Sequence, residues 1–92
     1  MAERVVAEPQ FVAKLSAALR SELPGAEISH EHIRADRYRF IVVWPKFDAM
    51  GHPERQRIVW NVAERELDPA ELWNVGMILT LGLEDLPADD DE

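Results

Sequence analysis

The sequence predicts a single α+β domain, in which a three-stranded sheet carries its helices on one face. The chain has 92 residues, which is the size of one domain. The periodicity of its apolar residues predicts the order helix, strand, strand, helix, helix, strand. Because two helices precede the last strand, that strand can cross over and lie beside an earlier one. We expect the domain to span residues 1–86.

The first helix is predicted over Pro9–Leu23. Proline is favoured at the first position of a helix, and Pro24 with Gly25 provides a stop signal. An apolar stripe recurs every four residues along this segment. It consists of Phe11, Leu15, Leu19 and Leu23.

Two strands joined by a short connection are predicted next. Ala26–Ile33 reads as an alternating strand, and Arg34–Arg37 is the polar connection. One face of the first strand carries Ala26, Ile28, His30 and His32. Tyr38–Trp44 is rich in aromatic and β-branched residues and is apolar on both faces, which indicates a central strand. Pro45 cannot donate to a strand ladder and ends it.

The second half of the chain begins with a predicted loop over Lys46–Pro53, followed by a helix over Pro53–Leu67. A third, short helix then begins at Asp68–Glu71, where the aspartate can cap it and the glutamate can reach back to the cap amide. This helix is predicted to carry Leu72 and Val75.

The last strand is predicted over Met77–Leu83, and Glu84–Glu92 is predicted to be a tail. Six of the 18 acidic residues lie in the last nine positions, and the formal net charge is −8. We expect residues 87–92 to form an acidic, disordered, solubilising terminus. A second interpretation is that this tail competes with an anionic ligand for the basic middle of the chain.

Several classes of protein are excluded by composition. The chain has no cysteine, so disulfides, thiolate zinc sites, thiol catalysis and cysteine-ligated clusters are excluded. No apolar run has the length of a membrane helix. Met1–Ala7 lacks the apolar core of a secretory signal. We therefore expect a cytoplasmic protein without a membrane partner.

Catalysis has little support in the sequence. The aliphatic hydroxyl groups lack the pattern of a nucleophile elbow, and no phosphate loop or dinucleotide fingerprint is present. These hydroxyl groups belong to Ser16, Ser21, Ser29 and Thr80. We expect no enzymatic activity.

Three histidines are weak candidates for metal ligands. His30 and His32 lie on the same side of a predicted strand, and His52 joins them only if the following loop folds back. Two imidazoles without a fixed third ligand are a weak signal. We favour histidines that bind no metal.

A set of residues after the second strand, in the second helix and around the last strand is informative when taken together. Phe47 and Gly51 follow the second strand, and the next helix opens with the segment 54–59, Glu-Arg-Gln-Arg-Ile-Val. Further matches are Asn61, Glu66-Leu67, Thr80 and Glu84-Asp85. In these residues and in its order of elements the chain resembles the BolA-like proteins.

The type II KH domains share the same order of elements. A KH domain clamps nucleic acid with a Gly-x-x-Gly loop between its two helices. This chain has residues 66–69, Glu-Leu-Asp-Pro, at that junction. The residues therefore favour the resemblance to BolA-like proteins.

The resemblance implies an iron–sulfur cluster shared with a monothiol glutaredoxin, but the ligand positions depart from the family pattern. The helix-opening histidine of the family corresponds to Gln56, and the iron-ligating histidine near the last strand corresponds to Asn74. Asparagine is a poor ligand for iron in such a cluster. His30 and His32 lie near the second ligand position of the family. We expect no cofactor of the chain's own.

Our leading hypothesis is a small non-catalytic interaction module that binds a protein partner, one that resembles a monothiol glutaredoxin. Arginine and tryptophan are typical of binding hot spots, and arginines at a helix start oppose the helix dipole. The candidate partner-binding residues are Arg55, Arg57, Trp60, Trp73 and Asn74.

Two alternatives remain open. The segment 34–57 holds six basic and three acidic residues, which suits a nucleic-acid-binding regulatory module, although the net charge disfavours it. Its candidate contacts are Arg34, Arg37, Arg39 and Lys46. A central strand that is apolar on both faces also predicts that something covers the open side of the sheet. A second copy in a homodimer, a loop or the N-terminal residues are the candidates.

Overall fold

The protein, as a computed structural model that describes residues 9–86, follows the predicted order of elements. Its helices and strands are α1 (Gln10–Glu22), β1 (Glu27–Arg34), β2 (Arg37–Val43), α2 (His52–Glu66), α3 (Pro69–Trp73) and β3 (Val75–Leu81). Two 3₁₀ helices cover Pro45–Ala49 and Leu83–Asp85. The prediction for residues 87–92 lies outside the described residues.

The sheet has the strand order β1-β2-β3, with β1 antiparallel and β3 parallel to β2. Phe40 lies between His30 of β1 and Ile78 of β3 in the register. Alternate residues of β2 are buried on the side of the helices, while Ile41 and Val43 face the other side and are half-buried. The predicted central position of this strand is confirmed.

The core lies between the helices and one face of the sheet. α1 packs on β1, and α2 packs on β3. Phe11 at the start of α1 meets the ring of Tyr38 edge-on, with ring centroids 5.6 Å apart. Trp44 is 7% exposed, and its Nε1 donates to the carbonyl oxygen of Pro24 at 2.9 Å. These contacts fix both ends of α1 relative to β2.

The boundaries of β3 differ from the sequence prediction. The strand covers Val75–Leu81 and not Met77–Leu83. It pairs earlier because the backbone N–H of Tyr38 donates to the carbonyl of Asn74 at 2.8 Å. Val75 was expected on the third helix, but it is a buried strand residue.

The helix boundaries also need correction. Pro9 is the N-cap of α1 rather than its first residue, and α2 begins at His52. The predicted loop contains the 3₁₀ helix Pro45–Ala49. The capping signal of α3 is confirmed: Asp68 accepts from the backbone N–H of Glu71 at 2.8 Å, and the Glu71 carboxylate accepts from that of Asp68 at 3.0 Å.

The residues after β3 are held against the 3₁₀ helix that follows β2. The Asp48 carboxylate accepts hydrogen bonds from the backbone N–H groups of Leu83 and Glu84, at 3.2 and 3.0 Å. Gly82 is buried beside it, and a Cβ at this glycine would lie 2.1 Å from Asp48 Oδ1. Glu84, which was expected in the tail, therefore belongs to the folded domain.

Asp85 completes this C-terminal attachment. Its carboxylate accepts from the backbone N–H of Gly82 at 2.8 Å and from the Arg55 guanidinium at 2.7 Å. The hydrogen bond from Gly82, together with Arg55, lowers the pKa of Asp85 below its ordinary value. Both contacts favour the ionised carboxylate.

We predict that Gly82→Ser lowers the free energy of unfolding by about 1–3 kcal/mol, because its side chain would displace Asp48. Gly51→Ser is the matched control: a Cβ there meets Pro53 Cδ at an ordinary 3.8 Å, and serine is a favoured N-cap. Urea denaturation measures both variants. Equal losses in the two variants would contradict the steric explanation.

We predict that Asp85→Asn destabilises the fold at neutral pH and has progressively less effect in acid. The pKa of Asp85 is lower in the folded chain than in the unfolded chain, so its stabilisation is complete above the unfolded pKa. That stabilisation is lost as the pH falls through the folded pKa. Urea midpoints of both proteins at about pH 7 and about pH 2.5 test this. A difference that stays constant or grows in acid would contradict it.

Candidate functional site

An exposed tryptophan marks the junction between α3 and β3. The capping box fixes the start of α3, and the helix ends after five residues at Trp73, whose side chain is 66% exposed. The Arg37 guanidinium carbon lies 4.6 Å from the centroid of the Trp73 ring, within cation–π range. Arg37 is the first residue of β2, so the contact joins the crossover helix to the sheet.

Gly76 lies beside the arginine of this stacked pair. A Cβ at Gly76 would lie 3.8 Å from Nη1 and 4.0 Å from Cβ of Arg37, so the arginine side chain runs across the glycine. Met77 follows and is 43% exposed. We call Trp73, Arg37, Gly76 and Met77 the Trp73 patch.

The Trp73 patch adjoins an apolar strip on the open face of the sheet. Leu79 and Leu81 of β3 lie beside Ile41 and Val43 of β2 in the register, and Leu79 is 36% exposed. The β1 side of the same face is polar: it holds an ion pair between Arg39 and Glu31. The open face is therefore apolar towards β3 and charged towards β1.

Arg55 is used inside the structure. Its side chain is 14% exposed, and it donates to the carbonyl oxygens of Met50 at 3.1 Å and Thr80 at 3.3 Å as well as to Asp85. These bonds connect the start of α2 to β3 and to the residues after it. We therefore leave Arg55 out of the proposed contact surface.

Gln56 and Trp60 form a second internal connection. The Gln56 side-chain amide donates to the carbonyl of Ile78 at 2.8 Å and to the Thr80 hydroxyl at 3.2 Å. Its oxygen accepts from Trp60 Nε1 at 3.0 Å. Both side chains are half-buried and help to cover the outer edge of β3.

The other two candidates for partner binding differ in exposure. Arg57 is exposed and makes no ion pair with any residue in the range 9–86. Asn74 is half-buried beside Trp73, and its backbone N–H donates to the carbonyl of Glu71 at 3.0 Å. Sequence reasoning had selected Trp73 and Asn74 but missed Gly76 and Met77. The signal for Met77 was a last strand with large apolar residues on both faces.

The histidines lie in different places. His32 stacks on Tyr38 with centroids 4.5 Å apart, and its Nε2 lies 2.6 Å from the carbonyl oxygen of Ala35. His30 lies beside Phe40, while His52 begins α2 after the opposite end of β2. Within residues 9–86, no three histidine, aspartate or glutamate side chains group closely enough to hold a metal ion.

The family's pair of cluster ligands does not fit this chain. His32 pairs with Tyr38 on one side, and Tyr38 pairs with Val75, next to Asn74, on the other. Two strand spacings separate these positions, which is about 10 Å. The departure from the family pattern is therefore one of chemistry and not of distance, because the asparagine amide is a poor ligand for iron in such a cluster.

The candidate nucleic-acid contacts do not form one patch. Arg34 is exposed at the hairpin, Arg37 stacks on Trp73, and Arg39 pairs with Glu31. Lys46 follows the opposite end of β2, with its ammonium 5.6 Å from the centroid of the Trp44 ring. Of these four residues, only Arg34 and Arg37 lie together, at the hairpin between β1 and β2.

Comparisons with known proteins agree on the architecture. No protein-family model and no curated protein sequence matches the chain. BolA1 from Arabidopsis thaliana is similar in structure, with a TM-score of 0.64, 20% identity, and coverage of 82% of this chain and 94% of that one.

Two further solved structures are similar. The BolA domain of SufE1 from Arabidopsis thaliana has a TM-score of 0.67, 15% identity, and coverage of 87% of this chain and 100% of that one. A Bol-like protein from Babesia bovis has a TM-score of 0.51, 17% identity, and coverage of 78% and 84%. None of the helices in residues 9–86 is long and apolar enough to cross a membrane. From the order of its elements to its mixed three-stranded sheet, the chain has the BolA-like fold.

Proposed function

We propose that this chain is a non-catalytic module that binds a protein partner through the Trp73 patch. The observation that carries the proposal is the 66% exposure of Trp73 with an arginine stacked on its ring. Tryptophan and arginine dominate binding hot spots, because both combine a large apolar area with a polar group. The two side chains already contact each other in the free chain, which lowers the entropic cost of association.

The area argument supports a contact of useful strength. A tryptophan side chain buries up to about 250 Å². Removing two-thirds of such an area from water contributes roughly 4 kcal/mol at about 25 cal/mol per Å², before the costs of association. The neighbouring Met77 and Leu79 extend the apolar area along β3. Asn74, at the margin of this apolar area, supplies a polar group that can fix the orientation of the bound partner.

A thiol protein of the monothiol glutaredoxin type is the first partner to test, because the residue pattern resembles the BolA-like family. The likeness in fold to BolA1 and to the BolA domain of SufE1 supports the same choice. A shared cluster is not part of the proposal, since Asn74 is a poor ligand for iron at the position where the family has a histidine. A second copy of the chain on the open sheet face stays a prediction, as does cytoplasmic location.

We predict that Trp73→Ala removes the partner from a pull-down on host lysate, with recovery falling by about tenfold or more. The loss of a hot-spot side chain costs at least about 1.4 kcal/mol of binding. Leu83→Ala is the control, since Leu83 is 53% exposed but follows the opposite end of β3. Mass spectrometry with and without nuclease identifies the captured molecules.

Equal recovery of the same protein by both variants would contradict the role of Trp73. Captured proteins that disappear with nuclease would favour the nucleic-acid hypothesis instead. In that case Arg34 and Arg37, at the hairpin end, are the first contacts to substitute.

We predict that the chain binds a cluster-loaded monothiol glutaredoxin without becoming a ligand of its iron. Binding is expected to shift glutaredoxin backbone resonances or to give heat in calorimetry, while the visible circular dichroism of the cluster stays unchanged. Trp73→Ala is expected to abolish the binding signal. A change in the visible spectrum that Asn74→Ala or His32→Ala removes would contradict the ligand argument.

A further inference from the structure

The open face of the sheet, which lies away from the helices, keeps large apolar side chains exposed. Met77 and Leu79 of β3 are exposed, and Ile41 and Val43 of β2 are half-buried beside them. A contiguous apolar strip on a small domain marks a surface that meets another molecule. The charges around this strip indicate which molecule that is.

The strand registers divide the open face into four rows that run across the strands. At one end, Glu27 of β1 lies beside Val43. At the other end, after the bulge in β1, Arg34 lies beside Arg37. The two rows between them are Ser29-Ile41-Leu79 and Glu31-Arg39-Met77. Opposite charges therefore occupy the two ends of β1, about 20 Å apart at about 3.3 Å per residue.

Arg34 lacks a carboxylate at its own end of the face. It lies directly opposite Arg37 in the register, and like charges at such positions repel each other. Neither arginine makes an ion pair with a residue in the range 9–86, and the same is true of the exposed Glu27. A carboxylate supplied by another molecule would relieve the repulsion between the two arginines.

A second copy of the chain would supply that carboxylate if the two open faces met about a two-fold axis that runs across the strands. This axis places each strand over the same strand of the other copy in the reverse direction, so that the first row faces the last. Glu27 of each copy then faces Arg34 of the other. On β3, Leu79 of each copy faces Met77 of the other, so that apolar side chains cover each other.

The other two-fold axis in such an interface, parallel to the strands, matches the face poorly. It places β1 of one copy over β3 of the other, with the carboxylates of Glu27 and Glu31 over leucine and methionine side chains. Burial of a charge against apolar groups is costly. The axis across the strands instead gives the Glu31 carboxylate a donor, the hydroxyl of Ser29. The pattern of charges therefore selects the axis across the strands.

We propose that two copies of this chain associate through the open faces of their sheets, about a two-fold axis across the strands, with Glu27 of each copy paired to Arg34 of the other. The proposal concerns the chain alone, so its failure leaves the proposed role of the Trp73 patch standing. Met77 belongs to both surfaces, so the two copies must separate before a partner covers the whole patch.

The size of the face sets the strength of the association. Three strands at a spacing of about 4.8 Å and with a length of about 20 Å present roughly 300 Å² in projection. Stable interfaces bury about 800 Å² on each partner, and smaller ones are weak or transient. The formal charge of −8 also opposes contact between copies, although the open face itself holds three arginines and two glutamates. We therefore expect a dissociation constant on the order of 100 µM.

Analytical ultracentrifugation of the full chain between about 10 µM and about 1 mM tests the proposal, because this range spans the expected dissociation constant. The average mass is expected to rise from monomer towards dimer. Arg34→Glu or Glu27→Arg alone is expected to weaken the dimer by about tenfold or more, because each dimer contains the contact twice. Arg57→Glu, the same charge change at an exposed position of α2, is expected to leave it within about twofold.

An equimolar mixture of the Arg34→Glu and Glu27→Arg chains is the decisive sample. In the mixed pair both contacts again join opposite charges, so dimerisation is expected to return, which also shows that both variants fold. Three results would overturn the proposal. The chain stays monomeric at about 1 mM, the single variants dimerise like the original chain, or the mixture stays as weak as its components. In the first case the open face belongs to another protein or to the chain's own terminal residues.

Discussion

The parallel pairing of β3 with β2 is the constraint on which the rest of the structure depends. Parallel neighbours cannot be joined by a tight turn, so the chain must leave the sheet and return along a crossover. Here α2 and α3 form that crossover. Its last helix ends where β3 begins, which places Trp73 at the sheet beside Arg37. Its first helix lies over β3 and brings Gln56 to the outer carbonyls of that strand. The exposed tryptophan and the closed edge are thus two consequences of one connection.

The departure from the BolA-like pattern at Gln56 has a structural explanation. A neutral imidazole has one donor and one acceptor, whereas a glutamine side chain has two donor hydrogens and an acceptor oxygen. Gln56 uses all of them, with Ile78, Thr80 and Trp60 as partners. A histidine at this position would leave at least one of these polar groups without its present bond. The residue therefore reads as part of the α2–β3 connection. The same reasoning applies to Arg55, where three bonds to β3 and the neighbouring turns offset a position that opposes the helix dipole.

Local patterns in the sequence were sufficient for the elements and their order. Apolar residues on both of its faces identified β2 as the central strand, and the capping box located α3. The failures came from bonds between distant residues, which no local pattern contains. The Asp48 carboxylate accepts from the backbone N–H groups of Leu83 and Glu84, which follow it by 35 and 36 positions in the sequence. Glu84, which was predicted to lie in the tail, is therefore part of the fold. Likewise, Arg55 was selected as a contact residue, but its partners Thr80 and Asp85 lie 25 and 30 positions along the chain. Trp73 could be selected by type but not located, because a helix of five residues has too few turns to show an apolar face.

The occupied edge of β3 bears on how a partner can bind beside the Trp73 patch. The outer carbonyls of Ile78 and Thr80 already accept hydrogen bonds from Gln56 at 2.8 Å and from Arg55 at 3.3 Å. An added strand would have to compete with these two side chains for the same carbonyls. A partner on the Trp73 patch is therefore expected to make its contacts mainly with side chains, and the exposed ring of Trp73 with the stacked Arg37 is suited to such contacts.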